Sequence, residues 1–217
     1  MVIADRGSGA PGTPAGADAR AQQGVEGNAR LTGSLAAVIF VLLAAEGLTI
    51  VGVRRLLTPH VFIGMLLVPP VLAKIASTGY RFSRYYLGAP AYRRKGPPGL
   101  VMRLLGPIVV VLTIVVLASG VALLYVSPGS RSTLLFLHKA SFVLWFGAMA
   151  IHVLGHLLDT TRLAPADWAR RTRRQVAGAG LRQWTVAACL VAGVLLGAAV
   201  VGQVGPWLSS SPRHLGN

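Results

Sequence analysis

The sequence predicts an all-α fold, a polytopic membrane helix bundle. Three observations carry this expectation. Of the 217 residues, 53% are hydrophobic and the mean hydropathy is +0.62, too apolar an average for a soluble domain of this length. The apolar residues gather into five runs, each near the ~20 residues that cross a bilayer. The 21 Lys and Arg, against 6 Asp and Glu, fall mostly between those runs. A net charge of +15 in a soluble chain would suggest nucleic acid. Basic residues placed between apolar runs are better read as topology signals facing anionic lipid, so no nucleic-acid partner is expected.

Met1 to Arg30 is rich in Gly, Ala, Gln and charge, and holds no apolar core. It lacks the apolar stretch of a signal peptide and reads as a disordered cytoplasmic tail. The first span runs from about Leu31 to Val53. The second runs from His60 to about Tyr80 and is interrupted by Pro69 and Pro70. The third covers about Leu100 to Val126, and the fourth about Thr133 to Leu158. Residues 159–180 form a basic loop, Leu181 to Val204 a fifth span, and 205–217 a polar outer tail that includes His214. Unpaired backbone is not tolerated in hydrocarbon, so every span must be helical. The expected architecture is a four-helix core over residues 31–158 plus one further transmembrane helix.

Orientation follows from the connections. Arg81, Arg84, Arg93, Arg94, Lys95 and Arg103 lie between spans two and three; Arg162, Arg170, Arg171, Arg173, Arg174 and Arg182 lie between spans four and five. Only Arg131 lies between spans three and four, in a tight turn at Ser127 to Ser130. The positive-inside rule therefore puts the amino terminus in the cytoplasm of a cell membrane, with Arg54 and Arg55 dissenting. Tyr80, Tyr85, Tyr86 and Tyr92, with Trp184 and Trp207, fit the aromatic belts. Cys189, the single cysteine, is a small hydrophobe in span five and excludes any disulfide within the chain.

Ionisable groups inside spans are costly and are functional candidates. They are Glu46, His60, Lys74, His138, Lys139, His152 and His156. Spans two and four run in the same direction, so His60 and His138 belong to one level, near the outer surface. His152 follows His138 by 14 residues, which places it about 40° round the helix and about 21 Å along it. Neutral imidazoles at that spacing suit haems stacked across a membrane bundle. His60 and His138 are the expected axial ligands of an outer haem. The position 14 after His60 is Lys74, opposite His152. Three readings of Lys74 stand: a neutral amine ligand, a residue that replaced a lost ligand, or a partner for a propionate or for Glu46. His156, one turn below His152, is an alternative to it. Gly64, one turn after His60, and the pairs Gly33/Gly47 and Gly106/Gly120 offer close approach to a flat ring, or ordinary small-residue helix packing. Glu46 pairs with Arg54 or Arg55, or serves a quinol site. Arg54, Arg55 and Arg131 are candidate propionate partners at the outer level, and Tyr80, Arg81 and Arg84 at the inner.

The run His60-Val-Phe-Ile-Gly64 with Lys74 resembles helix two of bacterial membrane cytochromes b, the helix-bundle electron-transfer subunits that serve nickel hydrogenases and formate dehydrogenases. The run from His138 to His152 resembles their fourth helix. The resemblance implies haem b held by two histidines, and electron exchange with quinone or a partner redox subunit. It implies an electron-transfer subunit more than a stand-alone enzyme. Lys74 departs from it where a second histidine is expected, leaving one haem and a second in question. The rival is a cofactor-free membrane anchor or assembly protein, its histidines in interhelical hydrogen bonds. A transporter broken at Pro69-Pro70 is a third reading, weakened by the absence of an internal repeat.

Overall fold

A computed structural model describes residues 14–96 and 99–209. His214, the first thirteen residues of the expected tail, and positions 97–98 and 210–217 lie outside it. Among the described residues all regular structure is helical. The order is α1 (Pro14–Val51), α2 (Leu57–Tyr86), the short α3 (Pro90–Lys95), α4 (Leu100–Tyr125), α5 (Arg131–Leu163), α6 (Arg170–Arg173), α7 (Ala179–Val200) and α8 (Gly205–Ser209). Five of these helices are long and apolar enough to cross a membrane, those built on α1, α2, α4, α5 and α7. They correspond to the five expected spans.

α1 packs against both α2 and α5, α4 packs mainly against α5 and lightly against α2, and α7 lies outside on α2. The first four long helices therefore close a ring in which α2 and α5 face each other across a gap. Ile39, Leu67 and Val71 form the buried contact of α1 with α2, and Leu117 of α4 closes on it. Large side chains such as Phe136, Val143, Phe146, Ile151 and Leu154 on α5 point outward, as they do where lipid is the solvent.

Three expectations need correction. Residues 14–30 are not a disordered tail: α1 begins at Pro14 and runs unbroken into the first span. The alanines, arginines, glutamines and glutamate of this segment favour helix, its glycines do not, and tertiary contacts hold it in place. Val25 is buried with Ala91 and Tyr92 of α3. The Asn28 amide donates to the carbonyl and hydroxyl of Ser77, at 3.2 and 3.1 Å.

Residues 159–180 are not an open basic loop. α5 continues to Leu163, and a 3-10 turn over Ala164–Asp167 tucks under α1. Asp167, 1% exposed, receives Arg30 from α1 at 3.5 Å and Arg182 from α7 at 2.7 Å. The second Arg182–Asp167 bond runs from Nε to Oδ2. Arg30 also donates to the Thr172 carbonyl at 2.9 Å, and Gln183 to the Asp167 carbonyl at 2.7 Å. One carboxylate thus ties α1, the 3-10 turn and α7 together. Gly178, at φ 81°, turns the chain into α7 in a conformation that side chains disfavour.

Pro69 and Pro70 do not interrupt α2, which is helical from Leu57 to Tyr86. A proline in a helix interior frees the carbonyl four residues before it and costs roughly 3 kcal/mol. Within a bundle neighbouring helices take up such groups. Here α7 does so. A Cβ on Gly193 would lie 2.6 Å from the Leu66 carbonyl oxygen, and one on Gly197 3.1 Å from that of Phe62. Gly193 and Gly197, four apart, let α7 lie directly on α2 over the carbonyl that Pro70 releases. This continuity removes the structural ground for a transporter broken at the midplane.

Candidate functional site

The gap between α2 and α5 is a cavity of about 1410 Å³, running between α1, α2, α4 and α5. Ligand pockets are typically ~300–1,000 Å³, so this one has room for more than one small group. Its lining follows a heptad on each helix. Residues 60, 67, 74 and 81 of α2 line it, as do 138, 145 and 152 of α5. A seven-residue step drifts only about 20° round a helix, which is why side chains so far apart in sequence share one face.

The outer level holds His60 and His138, with ring centres 6.5 Å apart and planes at 81°. Each ring is anchored through Nδ1. His60 Nδ1 lies 3.0 Å from Glu46 Oε1 and 3.0 Å from Thr49 Oγ1, both on α1. The Thr49 hydroxyl donates its proton to the Glu46 carbonyl at 2.6 Å, so it can only accept from His60. His138 Nδ1 lies 3.1 Å from the Val116 carbonyl and 3.0 Å from Ser119 Oγ, both on α4. Ser119 in turn donates to Val116 at 3.0 Å. Every neighbour is therefore an acceptor, and each histidine must carry its proton on Nδ1. That leaves a lone pair on each Nε2. No hydrogen bond uses either Nε2 among the described residues.

Glycines shape the same level. A Cβ on Gly120 would stand 3.1 Å from His138 Cε1, and one on Gly64 3.5 Å from Glu46 Oε1. Gly106, 14 residues before Gly120 on α4 and so about 21 Å further in, lines the inner part of the cavity with open space before it. Gly33 also lines the cavity and seats α1 on α5, where a Cβ would stand 2.6 Å from Leu163 Cβ; Gly47 does not line the cavity.

Trp145 lies midway between the two levels. Its indole donates to Thr113 Oγ1 on α4 at 2.9 Å, and Thr113 donates to the Val109 carbonyl at 2.6 Å. This fixes a large aromatic plane on the cavity wall between His138 and His152. The sequence signal for Trp145 is its seven-residue spacing from both His138 and His152.

The inner level is built otherwise. Lys74, His152 and His156 line it, and the rings of His152 and His156 lie 4.8 Å apart on the same helix. His152 Nδ1 is buried without a hydrogen-bond partner. Among the described residues no hydrogen bond holds either ring in one tautomer, in contrast to the outer pair. Gly155 is filled by Met102 of α4. Arg81, Arg103 and Arg162 line this end against a single carboxylate, Asp159.

Two sequence expectations about partners change. Glu46 pairs with His60, not with Arg54 or Arg55, which are exposed in the turn after α1. Arg131 stacks over Trp207 at 4.5 Å and does not line the cavity; neither do Tyr80 and Arg84, which gather around Tyr92. Among the described residues no three His, Cys, Asp or Glu converge to hold a bare metal ion. The paired imidazoles suit a metal that brings most of its own ligands. No protein-family model, no curated protein and no solved structure matches this chain.

Proposed function

We propose that this chain is a b-type cytochrome of the membrane, passing electrons between quinone or quinol and a partner redox protein. The observation that carries the reading is the outer histidine pair. A metal–nitrogen bond of about 2.0 Å on each side, plus about 1.2 Å from nitrogen to ring centre, separates two axial imidazole centres by about 6.4 Å. His60 and His138 stand 6.5 Å apart across an apolar cavity, on helices otherwise kept apart. Their tautomers present the Nε2 lone pairs that ligation requires, with carboxylate and carbonyl partners behind them.

When bound there, haem b supplies a one-electron couple. The residues of this chain do the rest. His60 and His138 would hold the iron from both sides and leave no open position for bond chemistry, so electron transfer is favoured over stand-alone catalysis. Gly64 and Gly120 keep the helix surfaces low enough for a flat ring at this level. The surrounding apolar side chains exclude water. The inner level fits a second haem less well, because His152 lacks an anchored tautomer and faces Lys74. One haem per chain, on the outer pair, is therefore the reading. The basic residues on α3 and around α6 support a cytoplasmic location for that end and for the amino terminus, in a chain of the cell membrane. Accessibility of cysteines introduced at Arg54 and Arg171 to an impermeant thiol reagent tests this: Arg54→Cys reacts in intact cells and Arg171→Cys does not.

The test of function is a reduced-minus-oxidised optical spectrum of detergent-purified protein, with haem quantified per chain. About one haem b per chain is expected, lost in His60→Ala and His138→Ala while the variants keep the wild-type elution profile. A colourless wild type, purified from cells supplied with haem, overturns the reading and favours a cofactor-free anchor.

A further inference from the structure

We propose that Glu46 is a positioning residue for His60, and that its carboxylate makes the two outer imidazoles unequal electron donors. The inference rests on the haem reading above and goes beyond it. Glu46 lies within a span, 14% exposed, where an ionisable group needs a specific partner. The partner is His60 Nδ1 at 3.0 Å, and the nearest basic residues in sequence, Arg54 and Arg55, are turned outward. His138 has only neutral acceptors on its Nδ1, the Val116 carbonyl and the Ser119 hydroxyl. A proton shared with a carboxylate leaves more negative charge on the ring than one shared with a carbonyl, and raises its basicity as a ligand. His60 is thus the stronger donor of the two. A stronger donor favours the oxidised, more positive iron over the reduced, because charge is weakly screened in an apolar cavity.

Glu46 also explains why α1 joins the site without supplying a ligand. Thr49 follows it by three residues, and its hydroxyl is tied to the Glu46 carbonyl at 2.6 Å. The two side chains form a fixed pair of acceptors over the first turn of α2. They set the ring plane of His60, and a Cβ at Gly64 would stand 3.5 Å from Glu46 Oε1, in van der Waals contact with the carboxylate.

The experiment is a redox titration of the purified, haem-loaded protein and its Glu46→Gln variant, with haem per chain measured alongside. Glutamine keeps an acceptor oxygen and removes the charge. The expected result is unchanged haem content with the reduction equilibrium shifted at least tenfold toward the reduced form, a rise of about 59 mV for one electron. Asp159→Asn is the control: it removes a carboxylate from the same cavity, about 31 Å further along α5 from His138, and leaves the potential in place. If Glu46→Gln lowers haem content, Glu46→Asp, which keeps the charge, restores content and potential together. A fully loaded Glu46→Gln with an unmoved potential overturns the role of Glu46 alone. So does an equal shift in Asp159→Asn, or a Glu46→Asp variant that restores neither property. A wild type without haem overturns this inference together with the reading it rests on.

Discussion

Asp167→Asn removes the one carboxylate that faces two buried guanidinium groups. Asp167 is 1% exposed, and the side chains of Arg30 and Arg182 are 6% and 10% exposed. Removing one partner of a buried pair leaves a charge unpaired and costs roughly 3–5 kcal/mol. The arginines are not wholly abandoned in the variant. Arg182 keeps the Ala177 and Val176 carbonyls at 2.7 and 3.3 Å, and Arg30 keeps Glu26 at 3.3 Å. The lower end, about 3 kcal/mol, is therefore expected. For a chain of this size each kcal/mol moves Tm by about 2–4 °C, so Tm falls by about 6–12 °C. The assay is thermal unfolding of the detergent-solubilised protein followed by tryptophan fluorescence. Adding Arg182→Gln to Asp167→Asn should recover part of the loss, because the charge left over is removed too. A Tm within about 1 °C of wild type would refute the reasoning and return Asp167 to the class of solvated surface charges.

Two further outcomes follow from the glycines. Gly193→Val puts atoms where the Leu66 backbone already stands, at 2.6 Å from its carbonyl oxygen; it costs about 1–3 kcal/mol in thermal unfolding, whereas Gly180→Val on the same helix, which meets nothing within 4 Å, leaves Tm in place. Gly120→Ala presses on His138 Cε1 at 3.1 Å and, by tilting an anchored ligand, weakens haem retention by about tenfold in transfer to apomyoglobin, while Gly106→Ala, facing open space, does not.

Much of the candidate site was legible from spacing. His60 with His138, and Lys74 with His152, share a level because helical rise and the alternation of spans oblige it. The partners of those residues were not legible. Glu46 was assigned to Arg54 or Arg55 because they are close in sequence, yet the turn of α1 that carries Glu46 faces the first turn of α2. The Val116 carbonyl behind His138 is a backbone group, which no sequence pattern marks. The difference between an anchored outer level and an unanchored inner one appears only once α1 and α4 are in place.

The sequence by itself determined the number of spans, their helical state and the levels of their polar residues. A bilayer permits little else: length and hydropathy decide what crosses, and unpaired backbone forces the helix. Tertiary structure decided what those local rules leave open. The helical segment 14–30 is held against the rest of the protein by distant partners, among them Asp167, 137 residues away from Arg30, which receives its charge. Pro69 and Pro70 lie within one continuous helix, on which α7 packs through Gly193 directly over the Leu66 carbonyl that Pro70 releases. In both cases the contacts that position these segments come from groups far off in the chain, which no local sequence pattern marks.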